Sequence, residues 1–210
     1  MWREIVATAD AGAEPASGEL LAHVEAGLGH PLPAALRGFL AEADGIADAY
    51  GTDLVWSAGR VLRENLAFRE EPRFRELYAP FDGLVLFGDN GGGDHFAFRR
   101  PTDGAEHVLA WDHETDHRYV IAPSFAAFLR DALASDGEDW YVTRRDELIA
   151  LVRALATGAL GTEAEEDAAL DTLRARVPHP RVADLVFHRD PPLTPEEIVD
   201  RAMAYRPVVL

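Results

Sequence analysis

Strand-type sequence patterns stop before residue 143, and only helix-type patterns follow. Upstream, short apolar runs with strand character alternate with helix signals; these runs lie at 53–56, 84–87, 95–98, 107–112 and 117–121. Downstream, apolar residues recur at helical spacing. The change predicts an α+β N-terminal domain with a small antiparallel sheet flanked by helices, followed by an all-α C-terminal four-helix bundle. We place these domains at residues 1–140 and 141–210.

Hydroxyl residues that can cap helices mark most helix starts in both halves. The predicted N-caps are Ser17, Ser57, Ser124, Thr143, Thr162 and Thr194. Glu165 and Glu197 stand three residues after two of these threonines, which is the spacing of a capping box. Pro33 suits a first helical position and Gly45 a C-cap, so they bracket one further helix.

The charge balance restricts the classes of partner. The chain has 37 acidic and 20 basic residues, a net charge of −17, and no cysteine. Disulfides and thiolate zinc sites are therefore excluded. A strongly negative field repels nucleic acids and anionic lipid and attracts basic proteins, although acidity can also serve solubility alone. No apolar run reaches the roughly 18 residues of a membrane span, and no signal-peptide pattern occurs, so we expect a cytoplasmic protein without membrane contact.

Two polar clusters could carry chemistry. The segment 88–94 is glycine-rich, but it lacks the Lys-Ser/Thr of a phosphate-binding loop, so we interpret it as a structural turn, with calcium binding as the alternative. The second cluster comprises His107, Asp112, His113, Glu114, Asp116 and His117. Its alternation with Trp111, Tyr119 and Ile121 favours a hairpin with a wet polar side. We therefore predict no catalytic residues, no metal and no cofactor, with a metal-dependent enzyme as a rival hypothesis.

The first half resembles the SUKH superfamily, the Smi/Knr type of domain found in many bacterial immunity proteins. The matching residues are Leu32-Pro33, Phe39-Leu40, Asp44-Gly45, the run from Leu86 to Asp94, Ala122-Pro123-Ser124-Phe125 and Phe128-Leu129. Their order fits over roughly residues 17–135.

The second half resembles the colicin DNase immunity proteins, which are four-helix bundles that bind nuclease toxins. The match runs over roughly residues 144–207. It rests on Gly161-Thr162, His179-Pro180, Asp184-Leu185-Val186-Phe187 and Thr194-Pro195-Glu196-Glu197-Ile198-Val199. In that family a short helix brings an aspartate and two adjacent tyrosines into the toxin interface. The resemblance therefore assigns toxin contacts to Asp184 and Phe187, and to His188 at the place of the second tyrosine.

The preceding helix sets toxin specificity in that family. By register, the resemblance implies that the specificity positions here are Glu163, Glu166, Asp167, Leu170 and Arg174. Helical spacing independently puts the three acids and the leucine on one side of a helix. A solvent-exposed helix face with no binding role would carry the same charges.

These patterns together predict an immunity protein that is not an enzyme and that neutralises a toxin. The expected toxin is a basic nuclease domain. Carboxylates would speed the encounter with such a partner, and Phe187 would anchor it. The alternative function is a SUKH-type scaffold or regulatory adaptor with a partner that is not a toxin.

Overall fold

The computed structural model describes residues 2–6, 14–48, 50–100, 107–135, 140–189 and 191–205. The chain forms two compact units, an N-terminal unit of Met1–Glu138 and a C-terminal unit of Asp139–Leu210.

The N-terminal unit is built around a four-stranded antiparallel sheet in the order β1-β2-β3-β4. The strands are β1 Leu84–Asp89, β2 His95–Arg99, β3 Val108–Trp111 and β4 Arg118–Ala122. All of β3 and nearly all of β1 are buried, in keeping with their continuous apolar sequences. The hairpin predicted across residues 107–121 is confirmed as β3 and β4.

Six helices accompany this sheet within the described residues. They are α1 Trp2–Val6, α2 Gly18–Leu28, α3 Ala34–Leu40, α4 Ala58–Glu70, α5 Pro72–Leu77 and α6 Phe125–Leu133. Ser17, Ser57 and Ser124 cap α2, α4 and α6 through their hydroxyl oxygens, as predicted. The predicted α+β class with a small antiparallel sheet is therefore confirmed.

Aromatic rings fill the core between the sheet and the helices. Phe87 of β1 contacts both Phe125 and Phe128 of α6 edge to face, at centroid distances of 5.3 and 5.5 Å. Phe39 of α3 packs on Phe125 at 5.5 Å, and all four rings are fully buried. Such rings contribute large buried areas, so this cluster fixes α3 and α6 against the sheet.

Three local predictions in this unit are wrong. Residues 53–56 form no strand of their own; only Val55 makes an isolated bridge, to Ile46. Gly45 does not cap α3, which ends at Leu40 with Ala41 as its C-cap, and Pro33 lies at the N-cap itself. Gly45 instead has φ +105° where the backbone passes close to Val55 and Ser57, a geometry that favours glycine.

The C-terminal unit consists of helices throughout its described elements. They are α7 Trp140–Thr157, α8 Glu163–Arg176, α9 Val182–Phe187 and α10 Pro195–Met203. The predicted all-α class is confirmed. The predicted cap at Thr143 is wrong, because α7 already begins at Trp140. Within the described parts of the chain, no helix is both long and apolar enough to span a membrane.

Buried apolar side chains from all four helices hold the C-terminal unit together. Val152 of α7, Leu173 of α8, Leu185 of α9 and Ile198 of α10 are each at most 2% exposed. An ion pair between Arg145 and Asp200, with 3.0 Å between nitrogen and oxygen, links α7 to α10. Apolar burial of this kind supplies most of the stability of a small bundle.

Candidate functional site

The short helix α9 presents Phe187 to solvent. The chain enters α9 through Pro178-His179-Pro180, where the His179 ring packs on Tyr205 and accepts a hydrogen bond from the Arg181 N–H. Val182 and Leu185 then turn into the core. Phe187 lies about 200° around the helix from Leu185, and its side chain is 49% exposed. An ordinary core role for this ring is therefore excluded.

The two polar neighbours of this ring are also accessible. Asp184 lies in the first turn of α9 and is paired with Arg181 at 3.6 Å. His188 is exposed at the C-cap of the helix, and its backbone N–H donates to the Asp184 carbonyl. The ring of His188 lies 6.4 Å from that of Phe187. All three residues predicted on α9 are thus accessible, with Asp184 in the first turn and Phe187 and His188 at the C-terminal end.

Helix α8 carries the second set of predicted residues along one stripe. Thr162 caps α8, accepting a hydrogen bond from the Glu165 N–H. The Glu165 carboxylate accepts a hydrogen bond from the Thr162 hydroxyl and not from the Thr162 backbone N–H. The predicted capping box is therefore incomplete. Glu163, Glu166 and Asp167 are exposed, Leu170 is half-buried, and Arg174 is exposed.

The acidic residues and the arginine of this stripe differ in whether they form ion pairs. Glu163, Glu166 and Asp167 form no ion pair with any residue that the structure describes, whereas Arg174 is neutralised by Asp171 at 3.0 Å. The stripe flanks the buried positions Ala169 and Leu173. Helix α8 therefore offers free negative charge at its N-terminal half and little net charge near Arg174.

Helices α8 and α9 pack against one another, and α7 packs on both. This packing sets the two groups of predicted residues on neighbouring helices. No hydrogen bond or ion pair links one group to the other among the described residues. Sequence reasoning missed Arg181, which stands beside Asp184 and is detectable only from the helical spacing of three.

The polar side chains of the histidine-rich hairpin segment do not converge on one site. Asp116 is committed to the fold: its carboxylate accepts hydrogen bonds from Trp111 Nε1 at 2.8 Å and from the Ala79 N–H at 2.7 Å. Burial disfavours its charge, but these bonds and Arg118 outweigh that effect and hold the pKa of Asp116 below its usual value. His107 is buried, whereas His117 is exposed.

One subset of this segment has the spacing of metal ligands. Asp94, Asp112 and His113 bring one ligand atom each within 4.8 Å of the others. However, His113 Nδ1 lies 2.8 Å from Asp94, and one Asp112 oxygen accepts from the Glu114 and Thr115 N–H groups. These bonds hold the loop and account for the residue types there without an ion.

Comparison with known families agrees with the two resemblances. Residues 18–129, more than half of the chain, match the family model SUKH_6, described as SMI1-KNR4 cell-wall. The chain belongs to the SUKH family. Residues 142–207 match the model described as colicin immunity protein / pyocin immunity protein, in the order that the sequence predicts. No curated protein matches the chain.

The glycine-rich segment of this SUKH-family chain is a packed turn. A side chain at Gly88 would overlap the Leu54 carbonyl, and Gly91 and Gly93 have φ of +75° and +113°. Asn90 is buried and accepts from the Gly92 and Asp94 N–H groups at 2.9 and 3.0 Å. Asn90 thus holds the turn, whereas Asp89 accepts from Trp56 Nε1 and Asp94 bonds to His113.

Both family matches support an immunity role.

Proposed function

We propose that this SUKH-family chain neutralises a nuclease toxin, and that the C-terminal unit binds the toxin through α8 and α9. The observation that carries the proposal is Phe187, an aromatic ring left 49% exposed on a helix that buries Val182 and Leu185. Aromatic rings dominate binding hot spots, so an exposed ring with accessible polar neighbours is suited to contact a partner.

The charge pattern supports a basic partner. Glu163, Glu166 and Asp167 lack counter-ions among the described residues, and the chain as a whole has a charge of −17. A nuclease domain needs a positive surface to hold phosphates, so carboxylates can compete for that surface. Complementary charge also speeds association, which matters when free toxin damages nucleic acid.

In this mechanism the chain acts by occupying a surface, without chemistry of its own. The α8 carboxylates steer the encounter, Phe187 enters a pocket on the toxin, and Asp184 and His188 contact its rim. Arg181 shifts from Asp184 to solvent or to the toxin when Asp184 is engaged. We infer a non-enzymatic, cytoplasmic protein from this mode of action.

Cell protection tests the proposal directly. Cells that express the toxin encoded beside this gene should survive when the full chain is present, and the two proteins should co-purify. The variant F187A combined with D184A should abolish protection while the protein stays folded by circular dichroism. Unchanged protection by that variant would contradict the assignment of toxin binding to α9.

The adaptor hypothesis has one observation in its favour. The family model that matches residues 18–129 is described as SMI1-KNR4 cell-wall, a description that names no toxin. If the full chain neither binds nor neutralises the neighbouring toxin, yet pulls down a cell-envelope protein, the adaptor function replaces the immunity function.

A further inference from the structure

A cavity of about 210 Å³ opens on the N-terminal unit, far in sequence from α8 and α9. Its walls come from the end of α4, from α5 and from the segment that leads into β1. The lining residues are Phe68, Arg69, Phe74, Arg75, Ala79, Pro80, Phe81 and Asp82. We call this cavity the α5 pocket. Ligand sites for drug-sized molecules occupy about 300–1,000 Å³, so its size suits one inserted side chain.

Stacked rings form the apolar side of the α5 pocket. Phe68 and Phe74 stack at a centroid distance of 4.6 Å, and Phe81 meets Phe68 edge to face at 5.1 Å. Leu77, the last residue of α5, is 71% exposed, so the apolar surface of this helix is not confined to the pocket. An aromatic or leucine side chain would find matching contacts here.

Hydrogen bonds hold the opposite wall in place. Arg118 donates to the Pro80 carbonyl at 2.9 Å and lies 4.7 Å over the Phe81 ring. The Ala79 N–H donates to Asp116 at 2.7 Å. Because the wall is tied to β4 and its hairpin, the pocket is formed before any ligand arrives, which lowers the entropic cost of binding.

Two arginines on the lining lack carboxylate partners. Arg69 donates to the Leu84 carbonyl at 3.0 Å, and its Nε is buried without a hydrogen-bond partner. Arg75 donates through Nε to the Arg69 carbonyl at 2.8 Å. Neither forms an ion pair with a described residue. Among the lining residues, Arg69 and Arg75 outnumber the one carboxylate, Asp82, although Glu70, Glu71 and Glu76 are their neighbours in sequence.

A third arginine adds to this charge. Burial, and next the charge of Arg100, lower the pKa of Arg69, so Arg100 lies within electrostatic reach. Asp82 is the one carboxylate among the lining residues, and it offsets this charge only in part. A bound carboxylate would therefore relieve repulsion among the arginines and satisfy buried donors.

We propose that the α5 pocket binds an acidic protein segment, which packs an aromatic or leucine side chain against the rings and places a flanking carboxylate on Arg69 and Arg75. This partner has the opposite charge to a nuclease surface, so the inference goes beyond the proposed function. The N-terminal unit thereby recruits a second protein, independently of α8 and α9.

An array of short fluorescein-labelled peptides tests the proposal with the full chain. The central residue is phenylalanine, leucine or alanine, and its neighbours are glutamate, glutamine or lysine. Fluorescence anisotropy should show binding only for the apolar centres with glutamate neighbours, and the binding should weaken as salt rises. Equal binding of alanine-centred or lysine-flanked peptides would overturn the proposal, as would no binding at all.

Matched variants locate the site. R75Q and R69Q should each weaken the peptide at least about tenfold, as expected for loss of a charge-assisted hydrogen bond. R63Q, on the same helix as Arg69 but exposed and paired with Glu64 at 2.9 Å, should leave binding unchanged. R75Q is the decisive variant if R69Q fails to fold, because Arg75 is exposed. Normal binding by folded R75Q would refute the site.

Discussion

The side chain of Asn65 completes the backbone hydrogen bonding of Leu86 in both directions. Asn65 Nδ2 donates to the Leu86 carbonyl at 2.7 Å, and the Leu86 N–H donates to Asn65 Oδ1 at 2.9 Å. Asn65 is 1% exposed and Leu86 is equally buried. A helix side chain thus occupies the place of a neighbouring strand along the outer edge of β1, which joins α4 to the sheet.

Replacing Asn65 with leucine should lower the free energy of unfolding by about 2–4 kcal/mol, because a buried N–H and a buried carbonyl lose their partners. Urea denaturation followed by circular dichroism measures the loss. The control A67L adds a leucine to an exposed position of α4 and should change stability little. A loss no larger for N65L than for A67L would contradict this role.

Gly88 should not tolerate even alanine. The added methyl group would overlap the Leu54 carbonyl oxygen, so β1 or the segment 53–56 must move. We expect G88A to cost about 1–3 kcal/mol, the range for overpacked sites. The same substitution at Gly83, where a methyl group meets open space, serves as the control. Comparable melting temperatures for G88A and G83A would refute the close approach.

The His113–Asp94 pair should make stability depend on pH. The hydrogen bond that His113 donates to Asp94 raises the pKa of His113, with partial burial opposing it. A raised pKa means that the folded state holds its proton more tightly than the unfolded state. The stabilisation is therefore complete below the ordinary histidine pKa of about 6.5 and is lost as pH rises through the folded value.

The variant H113Q should accordingly lose more stability at pH 5.5 than at pH 8.5. The difference should stay below about 1 kcal/mol, since the His113 side chain is 40% exposed and solvent screens the pair. H117Q, which removes an exposed histidine of the same hairpin loop, serves as the control. Urea denaturation midpoints at the two pH values measure the loss. A larger loss of stability for H113Q at pH 8.5 than at pH 5.5 would contradict the predicted direction.

Truncating Phe187 should mainly affect toxin release. We expect F187A to weaken binding by at least about 2 kcal/mol, the usual threshold for a hot spot, chiefly through faster dissociation. Fold stability should change little, because the ring is 49% exposed. Surface plasmon resonance gives both rates. L77A removes another exposed apolar side chain and should leave toxin binding intact; equal losses for both variants would contradict a specific anchor.

Neutralising the α8 acids should mainly affect toxin capture. The triple variant E163Q/E166Q/D167N should slow association by about tenfold at low salt and leave dissociation nearly unchanged, because unpaired surface charge acts on the encounter. The effect should shrink at high salt as screening increases. Stopped-flow measurements across a salt series test this directly.

The control for that variant removes the same charge elsewhere. E19Q/E70Q/E76Q neutralises three exposed acids of the N-terminal unit. If net charge alone attracted the toxin, both triple variants would slow association equally. The proposed interface requires that the α8 variant slow association clearly more than this control.

Features set by neighbouring residues were predictable from the sequence. Ser17 and Ser124 cap helices because a hydroxyl only needs an N–H three residues later, and the Thr194–Glu197 capping box forms for the same reason. Thr143 failed because α7 extends back to Trp140. Helix α5 went unpredicted although Glu71 and Pro72 give a valid start signal, since six residues show no clear period.

Features set by distant residues were not predictable. The segment 53–56 has strand composition, yet its backbone hydrogen bonds are divided between two partners. Val55 pairs with Ile46, whereas the Trp56 N–H donates to the Phe87 carbonyl of β1. Similarly, the sequence could nominate Phe187 but could not tell an exposed ring from a buried one; only the placement of Val182 and Leu185 in the core settles its exposure. The arginines of the α5 pocket carried no local signal.

The division of labour within α9 bears on how such proteins diversify. Val182 and Leu185 maintain the bundle, whereas Phe187 and His188 project from the end of the same helix. If Phe187 and His188 bind the toxin as proposed, substitutions there alter recognition without a cavity or a buried polar group in the interior. A lineage could then switch targets by changing these positions in single steps, each intermediate remaining a stable protein.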